Sequence, residues 1–127
     1  MKKKSKLTLS ILLAIIFITA LSYFLVSQNN KPGKLDNFAK CLEEKGAVFY
    51  GAFWCSHCKE QKAEFGKSAK YLPYVECSTA DSNGQLPVCT NQKIDGYPTW
   101  IFADGSRQSG KIPLADLASK TSCELPK

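Results

Sequence analysis

The sequence predicts an α/β domain, a central sheet covered by helices, carried behind a single membrane-spanning helix. Two observations support this. An uncharged, largely apolar run fills residues 7–26 and is flanked by lysines. From residue 35 onward, segments of helical periodicity alternate with short apolar runs bounded by Gly, Pro, Asp and Asn. Their order is helix, strand, helix, strand, short helix, strand, hairpin, strand, helix, a pattern that buries one sheet between helices.

The elements follow in turn. Residues 1–6, MKKKSK, form a basic tail. The run LTLSILLAIIFITALSYFLV, residues 7–26, has no charge and is long enough to cross a hydrocarbon core of about 30 Å at 1.5 Å per residue. Four lysines precede it and two follow, so the tail is expected to stay in the cytoplasm and the rest to be exported. A cleaved signal peptide, with secretion of the domain, is the alternative; its apolar region is usually shorter. Residues 27–34, SQNNKPGK, read as a polar linker, and residues 35–127 as the folded domain.

Within that domain Leu35, Phe38, Cys41 and Leu42 recur at helical spacing before Gly46, a helix with a stop signal. AVFYGAFW, residues 47–54, reads as a buried strand. Residues 56–72 turn helical, with Cys58, Phe65, Ala69 and Leu72 on one side and Pro73 at the end. YVEC, residues 74–77, is a short strand; residues 81–87 are turn-rich; residues 86–93 are a short helix. PTWIFA, residues 98–103, is a strand, and DGSR, residues 104–107, signals a hairpin to one more short strand. Residues 113–120 close the domain as a helix with proline at its start.

Composition excludes one class of partner. The formal charge of +6 lies in the N-terminal segment: residues 1–34 carry six lysines and no acid, and residues 35–127 carry eleven Lys/Arg against eleven Asp/Glu. A nucleic-acid-binding domain is expected to carry its basic excess on the folded part.

Six cysteines and one histidine are present. Cys55-Ser-His-Cys58 begins the helix that follows the buried strand. A cysteine there meets the positive end of the helix dipole and free N–H groups, which favour thiolate over thiol. Cys58 lies one turn on, close enough to close a reversible ring, and a protonated His57 adds positive charge. Zinc would need a second close-spaced ligand pair, whereas Cys41, Cys77, Cys89 and Cys123 are isolated in sequence; no metal is expected. A c-type haem would need histidine where Lys59 stands. A purely structural Cys55–Cys58 bridge stays open. Gly96-Tyr-Pro-Thr-Trp100 is the second signal. Proline at the start of a central strand cannot donate to the ladder; a cis Tyr97–Pro98 bond would account for it, and a trans proline at a strand start is the ordinary alternative.

These residues resemble the thioredoxin superfamily: Phe53-Trp-Cys-x-x-Cys58 after a strand, then Tyr97-Pro-Thr99 before another. The stretches FAxCL from Phe38, FYGAFWCSHCKEQK from Phe49, PYVEC from Pro73 and GYPTW from Gly96 are similar to the thioredoxin-like domain that accompanies bacterial vitamin K epoxide reductase homologues. The resemblance implies a thioredoxin-like fold with a mixed sheet, Cys55 as exposed nucleophile, Cys58 as resolving cysteine, Pro98 cis and against the pair, Trp54 shielding the site and His57 tuning it. It also implies that the membrane partner is a vitamin K epoxide reductase-like protein passing electrons to quinone, with no cofactor bound to the domain itself. One position departs from the family: many thioredoxins carry a buried acid six residues before the first cysteine, and Phe49 stands there.

The other four cysteines allow three pairings. A local Cys77–Cys89 bridge is the simplest, leaving Cys41 to pair with Cys123. Buried free thiols, or a Cys77–Cys89 relay to the active site, are the alternatives. The expected function is that of a single-pass, inner-membrane thiol–disulfide oxidoreductase with a monomeric extracytoplasmic domain acting on client proteins. Disulfide reduction, as in cytochrome c maturation, reverses the direction; a non-catalytic thioredoxin-like binding module is the competing class.

Overall fold

The computed structural model describes residues 2–29 and 31–127, which divide into two units between Lys31 and Pro32. The N-terminal unit is one helix, α1 (Lys2–Asn29), 28 residues long. Its segment Thr8–Gln28 is long and apolar enough to cross a membrane, with a mean hydropathy of 2.6, which fits a membrane anchor or a signal sequence. The large apolar side chains from Leu9 to Val26 are exposed, as a helix suited to lipid requires. Thr19 and Ser22 each donate a hydroxyl hydrogen bond back to a carbonyl of the preceding turn, Ile16 at 2.9 Å and Ile18 at 2.7 Å.

The predicted linker is shorter than residues 27–34. Ser27 to Asn29 are polar, but nothing there breaks a helix, so α1 runs on through them; residue 30 of that linker and residue 1 of the basic tail lie outside the described residues. At the far end Gly33 is already part of the domain. Its N–H donates to Asp36 Oδ2 at 3.1 Å, and a Cβ at this position would collide with Ser68 Oγ. The Leu35 N–H donates to that same hydroxyl at 3.0 Å.

The second unit contains α2 (Asp36–Glu44), β1 (Val48–Gly51), α3 (Ser56–Phe65), a 3-10 helix (Gly66–Tyr71), β2 (Tyr74–Glu76), α4 (Pro87–Thr90), β3 (Thr99–Ile101), β4 (Arg107–Ser109) and α5 (Leu114–Thr121). The strands form one mixed sheet in the order β2-β1-β3-β4. β1 runs parallel to β2 and antiparallel to β3; β3 and β4 form the hairpin, with Gly105 at a φ of +78° in its turn. The helix predicted over residues 56–72 is divided. Gly66, at a φ of +52°, ends α3, and the chain continues as the 3-10 helix.

Alternation along β1 builds two cores. Phe49 joins α2, α3 and α5 through Phe38, Leu42, Phe65 and Leu117, and packs with Trp100 of β3. Tyr50, on the opposite face, packs with Cys77, Cys89 and Ile94, as side chains of successive strand residues must point to opposite sides. Phe49 pairs with Tyr74 in one register and Trp100 in the other. Its ring stacks on Trp100 at 4.8 Å and meets Tyr74 edge-on at 5.2 Å. Around Phe49 an aromatic ladder fills the centre of the sheet.

Two disulfides close the domain. Cys41 of α2 is bonded to Cys123 beyond α5, and Cys77 after β2 to Cys89 of α4.

Candidate active site

Cys55 and Cys58 are the two free cysteines. Residues 52–54 turn the chain out of β1, held by a hydrogen bond from the Cys55 N–H to the Ala52 carbonyl at 3.0 Å. Cys55 then caps α3 with extended backbone, and its Sγ accepts the Cys58 N–H at 3.2 Å. Sulfur thus takes the place that Ser or Asp usually holds at a helix start. The two side chains are one turn apart and converge.

The exposed nucleophile implied by the resemblance needs correction. Cys55 is only 7% exposed, against 1% for Cys58, so it is the more accessible of two buried thiols. The groups that face solvent here are its neighbours Phe53 and Trp54, 46% and 48% exposed. Trp54 is fixed nonetheless: its Nε1–H donates to Ser78 Oγ at 2.8 Å, and its ring meets Tyr97 edge-on at 5.9 Å. Tyr97 is held in turn by Gln85, whose Nε2 donates to its hydroxyl oxygen at 2.6 Å. The Tyr97–Pro98 peptide is cis and Pro98 is buried. The Trp54–Tyr97 contact brings the residue before that bond beside the residue before Cys55. His57 points outward: its side chain is 66% exposed, with Nδ1 3.7 Å from Glu60 Oε2.

Burial pushes the Cys58 thiol up to about 12. The Cys55 side chain adds to the rise, while the Ala52 backbone and the Lys62 charge oppose it. Below Cys58 lie three polar side chains that sequence reasoning missed, Tyr74 and Glu76 on the face of β2 shared with Phe49 and Lys62 of α3. The Tyr74 hydroxyl donates to Glu76 Oε2 at 2.7 Å. Glu76 Oε1 accepts the backbone N–H of Phe53 at 3.2 Å and of Ser78 at 2.9 Å. Lys62 of α3 places its Nζ 3.1 Å from the Tyr74 ring centroid. Burial works against the Glu76 carboxylate, but the bonds from Tyr74, Ser78 and Phe53 outweigh it and hold the group below its ordinary range. Burial pulls Lys62 down, opposed by Glu76 and Cys58. Tyr74 is pushed far up, first by burial and then by its bond to Glu76. Only the spacing of Cys58 and Lys62, four residues apart on one helix, signalled any of this in advance.

Cys77 and Cys89 are both fully buried, so a Cys77–Cys89 relay would require this part of the domain to open.

The chain matches the thioredoxin family over residues 31–121. It is similar to the thiol-disulfide oxidoreductase LTO1 of Arabidopsis thaliana, 48% identical over 91 residues, covering 68% of this chain and 24% of that protein. It is also similar to protein disulfide isomerase-like 5-1 of Oryza sativa subsp. japonica, 30% identical over 77 residues, 55% of this chain and 52% of that one. A third relative is protein disulfide-isomerase A4 of Mus musculus, 33% identical over 78 residues, 55% of this chain and 12% of that one. The chain therefore spans well under two thirds of these relatives. With the mixed sheet, the cysteine pair at the start of α3 and the cis bond before β3 in place, the chain belongs to the thioredoxin family.

Proposed function

We propose that this chain is a membrane-anchored thiol–disulfide oxidoreductase whose reacting groups are Cys55 and Cys58. The observation that carries the reading is the contrast among its cysteines. Four are locked in two bridges, whereas Cys55 and Cys58 are free, one helical turn apart, with a backbone N–H donated to the Cys55 sulfur. A pair built only for stability has no need of a helix start beneath an exposed Phe53 and Trp54. The names of the relatives, thiol-disulfide oxidoreductase and protein disulfide isomerase, support the same chemistry.

In the oxidised state a client thiolate attacks Cys55 Sγ. The Cys55–Cys58 bond breaks, Cys58 leaves and takes up a proton, and a client–Cys55 disulfide forms. A second client thiolate then displaces Cys55, which takes up a proton. The client loses two electrons and the pair gains them. A vitamin K epoxide reductase-like membrane protein removes those electrons to quinone, and the domain itself holds no cofactor. Anchoring through α1 raises the effective concentration of the pair near that protein and sets the domain on the extracytoplasmic side, where disulfides persist. Trp54 and Tyr97 shield the pair, with Pro98 against it and His57 at its rim.

In cells, Cys58→Ser is expected to trap clients on Cys55 as mixed disulfides that Cys55→Ser/Cys58→Ser does not form. Undiminished client disulfide formation with the double variant would sink the catalytic reading. The direction is read from the reduction potential: about −180 to −120 mV for an oxidant, near about −270 mV for a reductant.

A further inference from the structure

Cys58 must become a thiolate whenever the pair closes, yet Phe49 leaves no acid on β1 beneath it. The groups around it come from two elements: Cys55 at the start of α3 and Lys62 one turn beyond Cys58 on the same helix, and Tyr74 and Glu76 on β2. His57 and Glu60 of α3 contact each other at the surface. Gly51 opens the space between them. A Cβ there would lie 3.0 Å from Cys58 Sγ, 2.7 Å from Tyr74 Cε2 and 3.4 Å from the Tyr74 hydroxyl. The sulfur and the hydroxyl end of the ring therefore border one small gap, and the Lys62 ammonium sits 3.1 Å from the centre of that ring. Tyr74 cannot swing away, because its hydroxyl is bonded to Glu76, and Glu76 is tied to the backbone of Phe53 and Ser78.

We propose that Lys62, held in place by the Tyr74–Glu76 pair, supplies the counter-charge that supports the Cys58 thiolate. It is a positioning residue for the resolving step, doing with a cation what the missing acid at position 49 would do as a base. The half-buried site strengthens its effect, since charges interact more strongly away from water. The inference rests on the redox reading above.

The step can be followed with oxidised glutathione. Cys55 thiolate attacks the glutathione disulfide, one glutathione thiolate leaves, and a Cys55–glutathione bond forms. Cys58 gives its proton to water and attacks Cys55 Sγ. The bond to glutathione breaks, and the second glutathione leaves as a thiolate. Two electrons from the protein thiols have then reduced one disulfide. Lys62 acts only in the second half.

The test uses the reduced full-length chain in detergent, mixed with oxidised glutathione between pH 6 and 9.5, acid-quenched and weighed by mass spectrometry. Lys62→Gln is expected to accumulate the Cys55–glutathione adduct and to need a pH about one unit higher to resolve it at the wild-type rate. Lys62→Arg, which keeps the charge, is expected to follow the wild-type profile. If Lys62→Gln melts below the assay temperature, Lys62→Met is read in its place. A neutral variant whose profile superposes on the wild type overturns the proposal. So does an Arg variant displaced as far as the neutral one, because the effect would then lie in shape and not in charge. A wild-type chain that forms no adduct and no Cys55–Cys58 disulfide would instead remove the redox reading on which the inference stands.

Discussion

Cys58 is the residue whose surroundings make the sharpest demand. Burial holds its proton on up to about 12, from an ordinary value of 9.0. The folded, reduced chain therefore binds that proton over a range where the unfolded chain has released it. Stability falls with rising pH wherever the native state holds more protons than the unfolded one. The contribution is full below pH 9 and is lost as pH climbs from there toward 12. The oxidised chain has no thiol at this position and escapes the loss. The melting temperature of the reduced form is thus expected to drop relative to the oxidised form between pH 8 and 10.5; parallel curves would show that Cys58 is not protected. At this scale the sequence was partly transparent. Cys55 and Cys58 stood out because two cysteines three residues apart at a helix start are local information. Lys62, Tyr74 and Glu76 did not, because their meeting depends on the β1–β2 register, which pairs Gly51 with Glu76 and Phe49 with Tyr74.

Among the elements, α3 carries both the site and an unannounced clasp. Gln61 is fully buried. Its Nε2 donates to the Ile112 carbonyl at 3.0 Å, and its Oε1 accepts the Ile112 N–H at 2.8 Å. A polar side chain thereby completes the backbone of the segment leading into α5. Gln61→Ala is expected to strand both Ile112 groups and lower stability by about 2–4 kcal/mol, seen as a lower urea midpoint with an unchanged slope. A loss under about 0.5 kcal/mol would mean that water replaces the amide. Helix α2 and the hairpin at Gly105 were legible because apolar period and turn chemistry are written locally. The strands came out shorter than their apolar runs, since partners rather than composition decide where a ladder ends. β1 stops at Gly51, before Ala52, Phe53 and Trp54, because the chain must turn there to place Cys55 at the helix start.

The whole molecule is an apolar helix and a folded domain, and the domain is laced at its extremes. The Cys41–Cys123 bridge closes a loop of 82 residues and the Cys77–Cys89 bridge one of 12. The entropy lost by the unfolded chain grows with loop length, giving about 4–5 kcal/mol for the long loop and about 3 kcal/mol for the short one. Cys41→Ser/Cys123→Ser is therefore expected to lose more stability than Cys77→Ser/Cys89→Ser in guanidinium unfolding of the oxidised protein; the reverse order would locate the strength in the short clip. The charge split between residues 1–34 and 35–127, together with the apolar run, made the two-part organisation readable. The helix extending through Ser27 to Asn29 was not, because polar residues mark solvent without marking an end.

The long bridge also decides how the domain meets mechanical load. Cys41 and Cys123 lie near its two ends, and their Cα atoms are 5.9 Å apart. A pull applied between the N-terminal segment and the last residues runs across that one covalent link. The sheet, the cysteine pair and the Tyr74–Glu76 tie all sit inside the loop, slack, while the ends are under tension. Tension between those two ends would thus load a sulfur–sulfur bond before it disturbed the geometry of Cys55 and Cys58.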